Sequence, residues 1–161
     1  MSLTATLPLD TPIGRVVLEC DGDVLVGLWL PHERRRPRHD PARGDDVPAV
    51  LEQAARELEE YFAGARTEFG VPVELDGTPF QREVWAELTR IGYGETITYG
   101  ELARRVGRPR GPRAVGQANG RNPIPIIVPC HRVVASGGIG GYGGGVKVKR
   151  ALLALEGVPA L

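Results

Sequence analysis

The sequence contains little cysteine, no long apolar run and no excess of charge of either sign. Its two cysteines, Cys20 and Cys130, lie far apart among 161 residues, which argues against a disulfide scaffold and for free thiols. No apolar run approaches the roughly 20 residues of a membrane span. The N-terminal residues also lack the charged and apolar regions of a signal peptide. We therefore expect a cytoplasmic protein in a reducing setting, with no membrane partner.

The net charge of zero conceals a strong asymmetry between the two halves of the chain. Residues 1–77 carry 8 Arg against 15 Asp and Glu, a balance of −7, whereas residues 78–161 carry 12 Arg and Lys against 5 Glu, a balance of +7. Between Arg104 and Arg132 there are seven arginines and no acidic residue. This pattern predicts an interaction surface on the basic half, with nucleic acid as the leading partner and a solvated loop surface as the alternative.

Apolar periodicity predicts an α+β fold with two domains. Strands and one amphipathic helix are expected in the N-terminal half, at Thr4–Leu9, Gly14–Cys20, Val24–Leu30 and Phe69–Leu75 and, for the helix, at Pro48–Ala63. The charged stretch His32–Asp46 is expected to be an exposed loop. The turn at Asp76–Pro79 marks the predicted boundary between a domain of residues 1–76 and a domain of residues 77–161.

The second domain is predicted to be helical and to contain a helix-turn-helix. Thr78 caps a helix that begins at Pro79. Two short helices follow, one opened by a capping box at Thr98–Glu101 and one beginning at Pro112, with a glycine-containing turn between them. A wing hairpin and a last helix are expected at Arg132–Ala135, Ile139–Tyr142 and Val146–Glu156, the helix burying Val148, Ala151, Leu152 and Leu155.

The run from Asn122 to Val134 brings together residues with reactive or charged side chains: NPIPIIVPCHRVV. Apolar residues lead to Cys130, His131 and Arg132, and neighbouring imidazole or cationic groups lower the pKa of a cysteine thiol. Prolines on both sides restrict the backbone and give the cysteine a defined place. Adjacent side chains on an extended segment point apart, so a direct contact between Cys130 and His131 is not expected. A buried structural cysteine is the alternative.

These residues resemble the motif of the O6-alkylguanine-DNA alkyltransferases. The match is Ile126–Val134, preceded by Arg113–Gly116 and Asn122–Pro123 and followed by Gly140–Gly145 and Leu152–Gly157. The resemblance covers about residues 78–157, and the first half fits the family only in its general pattern of strands and one helix. It implies a ribonuclease-H-like N-terminal domain, with an antiparallel sheet and a helix, and a C-terminal helical domain with a winged helix-turn-helix.

The resemblance implies direct-reversal DNA repair without a cofactor. Cys130 takes the alkyl group from the guanine oxygen in one in-line displacement and is then spent. His131 acts as the base for the thiol through a water, and Glu156 orients the imidazole. Tyr99 donates a hydrogen bond to the guanine ring, and Arg132 is expected to have a structural role.

The same resemblance assigns residues to the binding of double-stranded DNA that contains O6-alkylguanine. The damaged base is extruded from the duplex, which the family binds at its minor groove, and Arg113 fills the vacated space, with a phosphate contact as the alternative. Ala114 and Ala118 permit close approach to the groove, and Asn122 ties the recognition segment to the active-site strand. The protein is expected to be a monomer in solution, and the sequence leaves open whether it binds DNA cooperatively.

The pocket for the base is expected to be built largely from backbone. The resemblance implies that the carbonyls of Cys130 and Val133 accept from the guanine amino group and that an N–H near Gly143 meets the guanine oxygen. Pro125 lines the same pocket. Glycines suit such a site because a flat base must approach the main chain closely.

No metal is predicted. Cys20, His32 and His39 form no recognisable ligand set, and zinc in structural sites takes four ligands.

Two other functions use part of the same pattern. A non-catalytic sensor of alkylated DNA would bind lesions in the same way without transfer, but the presence of Cys130 argues against it. A Cys–His–Glu hydrolase shares the nucleophile, yet it leaves the arginine-rich helix-turn-helix half unexplained.

Overall fold

The computed structural model describes residues 4–33, 42, 46–108 and 111–161. It divides into two compact units, Met1–Leu75 and Asp76–Leu161. The first combines an antiparallel sheet with a helix and the second is mainly helical, which confirms the α+β class. Most of the charged loop predicted at His32–Asp46, including His39, lies outside the described residues. Within the described ranges, no helix is long and apolar enough to cross a membrane.

As far as its residues are described, the first unit is a three-stranded antiparallel sheet packed on one helix. Its strands β1 (Thr4–Thr11), β2 (Gly14–Asp21) and β3 (Val24–Trp29) pair in sequence order, and Gly22 takes the left-handed φ of 63° that the second hairpin requires. Helix α1 (Ala49–Phe62) has apolar residues at helical spacing that pack on the sheet, which are Val50, Leu51, Ala54, Leu58 and Tyr61. This core includes the free thiol Cys20, which is completely buried in β2.

The prediction of a strand at Phe69–Leu75 is wrong. Only Val73 makes a bridge, to Leu25, flanked by two backbone hydrogen bonds of 2.9 Å. The N–H groups of Gly70 and Val71 donate instead to the buried Glu57 carboxylate, at 2.9 and 3.0 Å. The next residue is a proline without an N–H, so the segment has too few free donors to form a ladder.

In residues 76–108 and 111–161, the second unit contains four α-helices and a two-stranded parallel sheet. The helices are α2 (Pro79–Leu88), α3 (Tyr99–Arg105), α4 (Pro112–Gly120) and α5 (Val146–Leu155), and the strands are β4 (Ile97–Thr98) and β5 (Val133–Val134). Helix α2 begins with a complete capping box between Thr78 and Gln81. At α3, Thr98 accepts from the Glu101 N–H, but the Glu101 carboxylate binds Arg104 and Arg105 rather than closing the predicted box.

The predicted wing hairpin does not form as two paired strands. Val133–Val134 is a strand, but its partner is β4 in parallel, and Ile139–Tyr142 is not a strand. A single antiparallel bridge joins Ala135 to Gly138. The two valines are buried in the core, whereas a glycine-rich segment has few side chains with which to hold a strand in register.

Helix α4 is anchored to the core through a tryptophan. The indole N–H of Trp85, on α2, donates to the Ala118 carbonyl at 2.8 Å, and the Trp85 side chain is buried. The connection fixes the C-terminal part of α4 against α2, close in sequence to the segment that leads to Cys130.

Candidate active site

Cys130 begins a single 3₁₀ turn, Cys130–Arg132, and does not lie on an extended segment as predicted. The turn forms because the Arg132 N–H donates to the Pro129 carbonyl and the Val133 N–H to the Cys130 carbonyl. Ile126, four residues earlier, holds a left-handed φ of 74°, which is rare for a β-branched residue. The backbone therefore delivers the thiol at a fixed point, and the Cys130 residue is only 4% exposed.

The Cys130 thiol is protonated in this environment. Burial raises the pKa of the thiol, while the Asn122 amide, the Tyr142 hydroxyl and the Lys149 charge act to lower it. The Tyr142 oxygen lies 3.9 Å from the sulfur. Neighbouring groups therefore do act to lower the pKa of the thiol, but desolvation outweighs them, so the net shift in the protein alone is upward.

His131 is completely buried beside the carboxylate of Glu156. Its Nε2 lies 2.7 Å from Glu156 Oε2, so Nε2 carries the proton and Nδ1 presents its lone pair. Nδ1 is buried and has no hydrogen-bond partner among the described residues. Burial lowers the pKa of His131 against the opposing effect of Glu156, so the imidazole is neutral.

Arg132 holds the Glu156 carboxylate from the other side. Its Nε and one terminal nitrogen donate to the two carboxylate oxygens at 2.8 and 3.1 Å, and its other terminal nitrogen donates to the Ile91 carbonyl at 2.6 Å. The Gly94 N–H adds a bond of 3.2 Å to Glu156. Because the guanidinium balances the carboxylate charge, the carboxylate can orient His131 without forcing it to become charged.

Tyr99 is half-buried at the start of α3, near the thiol. Burial raises the pKa of its hydroxyl, and proximity to Cys130 raises it further, so the hydroxyl is protonated near neutral pH. A side-chain carbon at Gly140 would lie 3.1 Å from the Tyr99 ring, and Gly140 also has a φ of 76°. Glycine is required at this position if the loop is to lie against Tyr99.

Lys149 is a buried residue of the site that the sequence did not reveal. Its Nζ donates to the carbonyls of Val133 at 2.7 Å and Gly141 at 3.0 Å, and lies 5.9 Å from the centre of the Tyr99 ring. Burial lowers the pKa of Lys149 to about 8, opposed by Cys130. The lysine ties the glycine-rich loop to the strand that follows the Cys130 turn.

The apolar face predicted for α5 did not include this lysine. The helix buries Lys149, Leu152 and Leu153, while Ala151 is exposed and Val148 and Leu155 are only partly buried. The true face is rotated relative to the predicted one. The sequence gives one sign of this buried residue, which is a lysine three residues before an apolar pair. An ordinary surface lysine gives the same pattern.

The residues assigned to DNA lie on or after α4. Arg113 and Ala114 are exposed in its first turn. Asn122 is buried after the helix, with its Nδ2 donating to the Val128 carbonyl at 2.7 Å and its Oδ1 accepting from the Ile124 N–H at 3.0 Å. Ala118 packs inward with an exposed fraction of 4%, so it does not share the surface of Arg113 and does not match its predicted place facing a groove.

The residues assigned to the base pocket lie around the Cys130 turn. Pro125 and Val133 are buried, and Gly143 is exposed in the glycine-rich loop. The two carbonyls expected to receive the guanine amino group already have donors: Asn119 Nδ2 lies 3.2 Å from the Cys130 oxygen and Lys149 binds the Val133 oxygen. Asn119 was not identified from the sequence, since a polar residue near a helix end has many ordinary roles.

In the described part of the chain, no three His, Cys, Asp or Glu side chains are grouped so that they could hold a metal ion. Of the three residues considered from the sequence, His39 lies outside that part.

Comparisons with known proteins agree along nearly the whole chain. Residues 79–158 match the 6-O-methylguanine DNA methyltransferase, DNA binding domain family, and residues 6–75 match the 6-O-methylguanine DNA methyltransferase, ribonuclease-like domain family. Proteins named methylated-DNA–protein-cysteine methyltransferase are 55% identical in Methanosarcina acetivorans, over 92% of this chain and 95% of the relative, and 50% identical in Mycobacterium tuberculosis, over 92% and 89%.

A solved structure is similar in both sequence and fold. The crystal structure of Mycobacterium tuberculosis OGT in complex with DNA has a TM-score of 0.87 and 47% identity to this chain, and the match covers 94% of this chain and 92% of that one.

Proposed function

Because the chain belongs to the 6-O-methylguanine DNA methyltransferase family, we propose that it repairs O6-alkylguanine in double-stranded DNA by irreversible transfer of the alkyl group to Cys130. The observation that carries the proposal is the buried Cys130 thiol, followed directly by an imidazole that Glu156 holds at 2.7 Å. A nucleophile, a base and an orienting carboxylate are the parts that covalent transfer requires.

Bond making and proton movement balance within this set of residues. The Cys130 sulfur attacks the alkyl carbon in line with the bond to the guanine oxygen, so a carbon–sulfur bond forms as the carbon–oxygen bond breaks. The thiol proton passes through a water to Nδ1 of His131, whose Nε2–H donates to Glu156. The base leaves as the guanine anion and takes up one proton at its ring nitrogen, which balances the proton given up by the thiol and leaves His131 neutral again. The products are S-alkylcysteine and guanine, and the thioether has no easy leaving route, so one protein molecule repairs one base.

The charge states of the free protein favour reaction only with the base in place. The pKa of Cys130 is raised and that of His131 is lowered, so the resting pair is a thiol and a neutral imidazole. The thiol proton then moves as the alkyl group departs, and a standing thiolate is not exposed to other electrophiles.

Tyr99 stabilises the leaving group by donating a hydrogen bond to it. Guanine gains negative charge as its oxygen loses the alkyl carbon, and a donor to the ring nitrogen stabilises that charge. The raised pKa of Tyr99 keeps its hydroxyl protonated and able to donate. No cofactor takes part, because guanine itself is the leaving group and Cys130 the acceptor.

The second unit handles the DNA. Arg113 is exposed at the start of α4, in the half of the chain with a charge balance of +7. Extruding a base costs a few kcal/mol, and an arginine that replaces the base in the stack offsets part of it. Ala114 is small enough for the helix to approach the minor groove closely, and Asn122 ties the end of the helix segment to the residues before Cys130.

The domain roles and the setting complete the proposal. Residues 1–76 form a scaffold domain and residues 77–161 the domain that binds DNA and accepts the alkyl group. The protein acts as a monomer in the cytoplasm, where free thiols such as Cys20 and Cys130 remain reduced.

Mass measurement after reaction with a defined duplex tests the proposal. A duplex with one O6-methylguanine is expected to add one methyl group to Cys130, in a one-to-one ratio with protein, in the wild type and in the control Cys20→Ser. Cys130→Ser is expected to gain no mass. Binding of the duplex without transfer would support the sensor, repeated turnover of an ester would support the hydrolase, and either result would overturn the proposal.

A further inference from the structure

The turn of residues 91–95 lies between α2 and β4 and contacts the end of α5. The Glu95 N–H donates to the Gly92 carbonyl at 3.0 Å, and the Glu95 carboxylate accepts from the Gly92 N–H at 3.2 Å. The Tyr93 hydroxyl donates to the Leu155 carbonyl at 3.2 Å. These bonds close the turn on itself and hold it against the last residue of α5.

The backbone of this turn contacts both members of the ion pair beside His131. The Ile91 carbonyl accepts from an Arg132 guanidinium nitrogen at 2.6 Å. The Gly94 N–H donates to Glu156 Oε1 at 3.2 Å, and the other carboxylate oxygen, Oε2, lies 2.7 Å from His131 Nε2. One turn therefore fixes the guanidinium and the carboxylate together, and the carboxylate fixes the imidazole.

Gly94 lies where a side chain would push the turn away from Glu156. Its φ is 78°, in the left-handed region that favours glycine, and a side-chain carbon would lie 3.0 Å from the Glu156 carbonyl oxygen. The N–H···O distance of 3.2 Å is already at the long end of the range for such bonds, so a small retreat of the turn breaks the bond. A carboxylate that loses this donor has its charge less compensated, which favours a protonated imidazole beside it.

We propose that Gly94 is a positioning residue for alkyl transfer, whose N–H holds the Glu156 carboxylate in the orientation that keeps His131 a neutral base. The inference rests on the proposed function, since it concerns the base that takes the thiol proton. The charged groups that act on His131 are Glu156, Arg132 and Lys149. Of these, Glu156 alone favours the protonated imidazole, so the donors to its carboxylate determine how strongly it does so.

The test follows the rate of methyl transfer as a function of pH. Single-turnover rates with an excess of a duplex that contains O6-methylguanine are measured by mass from pH 5 to 9. In Gly94→Ala we expect the rate at neutral pH to fall about 10-fold, the value of one hydrogen bond. We also expect the acid limb of the profile to move to higher pH by up to about one unit, because His131 is then protonated at a higher pH and cannot accept the thiol proton.

Two alanine variants are the matched controls. Gly92→Ala lies in the same turn, and the atoms nearest to its side-chain carbon belong to the exposed Glu95 carboxylate, at 3.1 to 3.2 Å, which can move aside. Gly64→Ala lies just after α1 and has a φ of 77°, so it shares the backbone strain of Gly94→Ala, but nothing lies within 4 Å of its side-chain carbon. Both controls should keep the rate and the acid limb of the wild type.

A second substitution at the same position covers the case in which Gly94→Ala does not fold. Asparagine tolerates a left-handed φ better than alanine but places the same side-chain carbon against Glu156. Gly94→Asn is therefore expected to show the same slowing and the same movement of the acid limb. Thermal unfolding of each variant verifies that it is folded.

The outcomes separate the inference from the proposed function. A wild type that transfers no methyl group from the duplex overturns the proposed function and the inference with it. A reactive wild type and a folded Gly94 variant of unchanged rate overturn the inference alone. Slowing by the same factor at every pH also overturns it, because a merely structural role leaves the acid limb in place. So does a control, Gly92→Ala or Gly64→Ala, whose acid limb moves as far as that of the Gly94 variant.

Discussion

Arg132 helps burial to keep His131 uncharged although the Glu156 carboxylate lies beside it. A carboxylate at 2.7 Å ordinarily raises the pKa of an imidazole, yet the pKa of His131 is lowered. Desolvation is the main cause, and Arg132 contributes because its bidentate bond compensates the Glu156 charge. The result is a base that is unprotonated at neutral pH and held in one orientation.

This charge state predicts how stability depends on pH. Unfolded histidine has a pKa near 6.5 and folded His131 a lower one, so between the two values the unfolded chain binds the extra proton. The free energy of unfolding should therefore be intact above pH 6.5 and fall below it, by up to about 1.4 kcal/mol per pH unit. Urea unfolding from pH 5 to 8 should show this fall in the wild type and a shallower one in His131→Gln. Equal slopes for the two proteins would contradict a neutral buried imidazole.

The sequence indicated some site residues and concealed others for a physical reason. Cys130, His131 and Glu156 were recognisable because a linear motif contains them, although His131 and Glu156 meet across 25 residues. Lys149 and Asn119 were not, because each acts on a backbone carbonyl that only the folded chain brings near. Backbone carbonyls leave no mark in a sequence.

At the scale of elements, helices were predictable where their ends are encoded locally. Thr78 and Pro79 specify the start of α2, and the structure has the full capping box there. The prediction of a strand at Phe69–Leu75 failed because two of its backbone N–H groups donate to the carboxylate of Glu57, which is distant in the sequence. The prediction of the wing failed because the valines of β5 pair with β4, which lies 36 residues earlier. Periodicity in the sequence cannot identify a partner strand at that distance.

The Trp85 side chain connects α2 to α4, and its ring packs against Gly77, where no side chain occupies the space. A side-chain carbon at Gly77 would lie 2.5 Å from the indole ring, and the buried ring cannot retreat. We expect Gly77→Ala to lower the free energy of unfolding by about 1–3 kcal/mol through overpacking. Displacement of the ring would also weaken its hydrogen bond to Ala118.

Gly120→Ala supplies the control for this prediction. Gly120 is in α4, and nothing lies within 4 Å of the position that its side-chain carbon would take. Urea unfolding should find it as stable as the wild type or slightly more stable, since alanine favours a helix over glycine. Equal destabilisation of both variants would show that the Trp85 contact is not the cause.

At the scale of the whole molecule, the charge is distributed by unit. The structure divides the chain after Leu75, and the charge balance changes sign at nearly the same place, from −7 over residues 1–77 to +7 over residues 78–161. The acidic half contributes solubility and the basic half attracts a polyanion, so a neutral protein can still associate with DNA.

Arg113 tests whether this basic surface does more than attract DNA. If its side chain occupies the space of the extruded base, Arg113→Ala should slow methyl transfer from an O6-methylguanine duplex by 10-fold or more and leave reaction with the free modified base unchanged, because only the duplex requires extrusion. Arg121→Ala is the control, since Arg121 is also exposed and follows the other end of α4. If Arg121 contacts only a phosphate, its loss should weaken duplex binding and reduce the salt dependence by about one charge. Arg113→Ala would contradict the assigned role if it behaved like this control, or if it slowed the duplex and the free base equally.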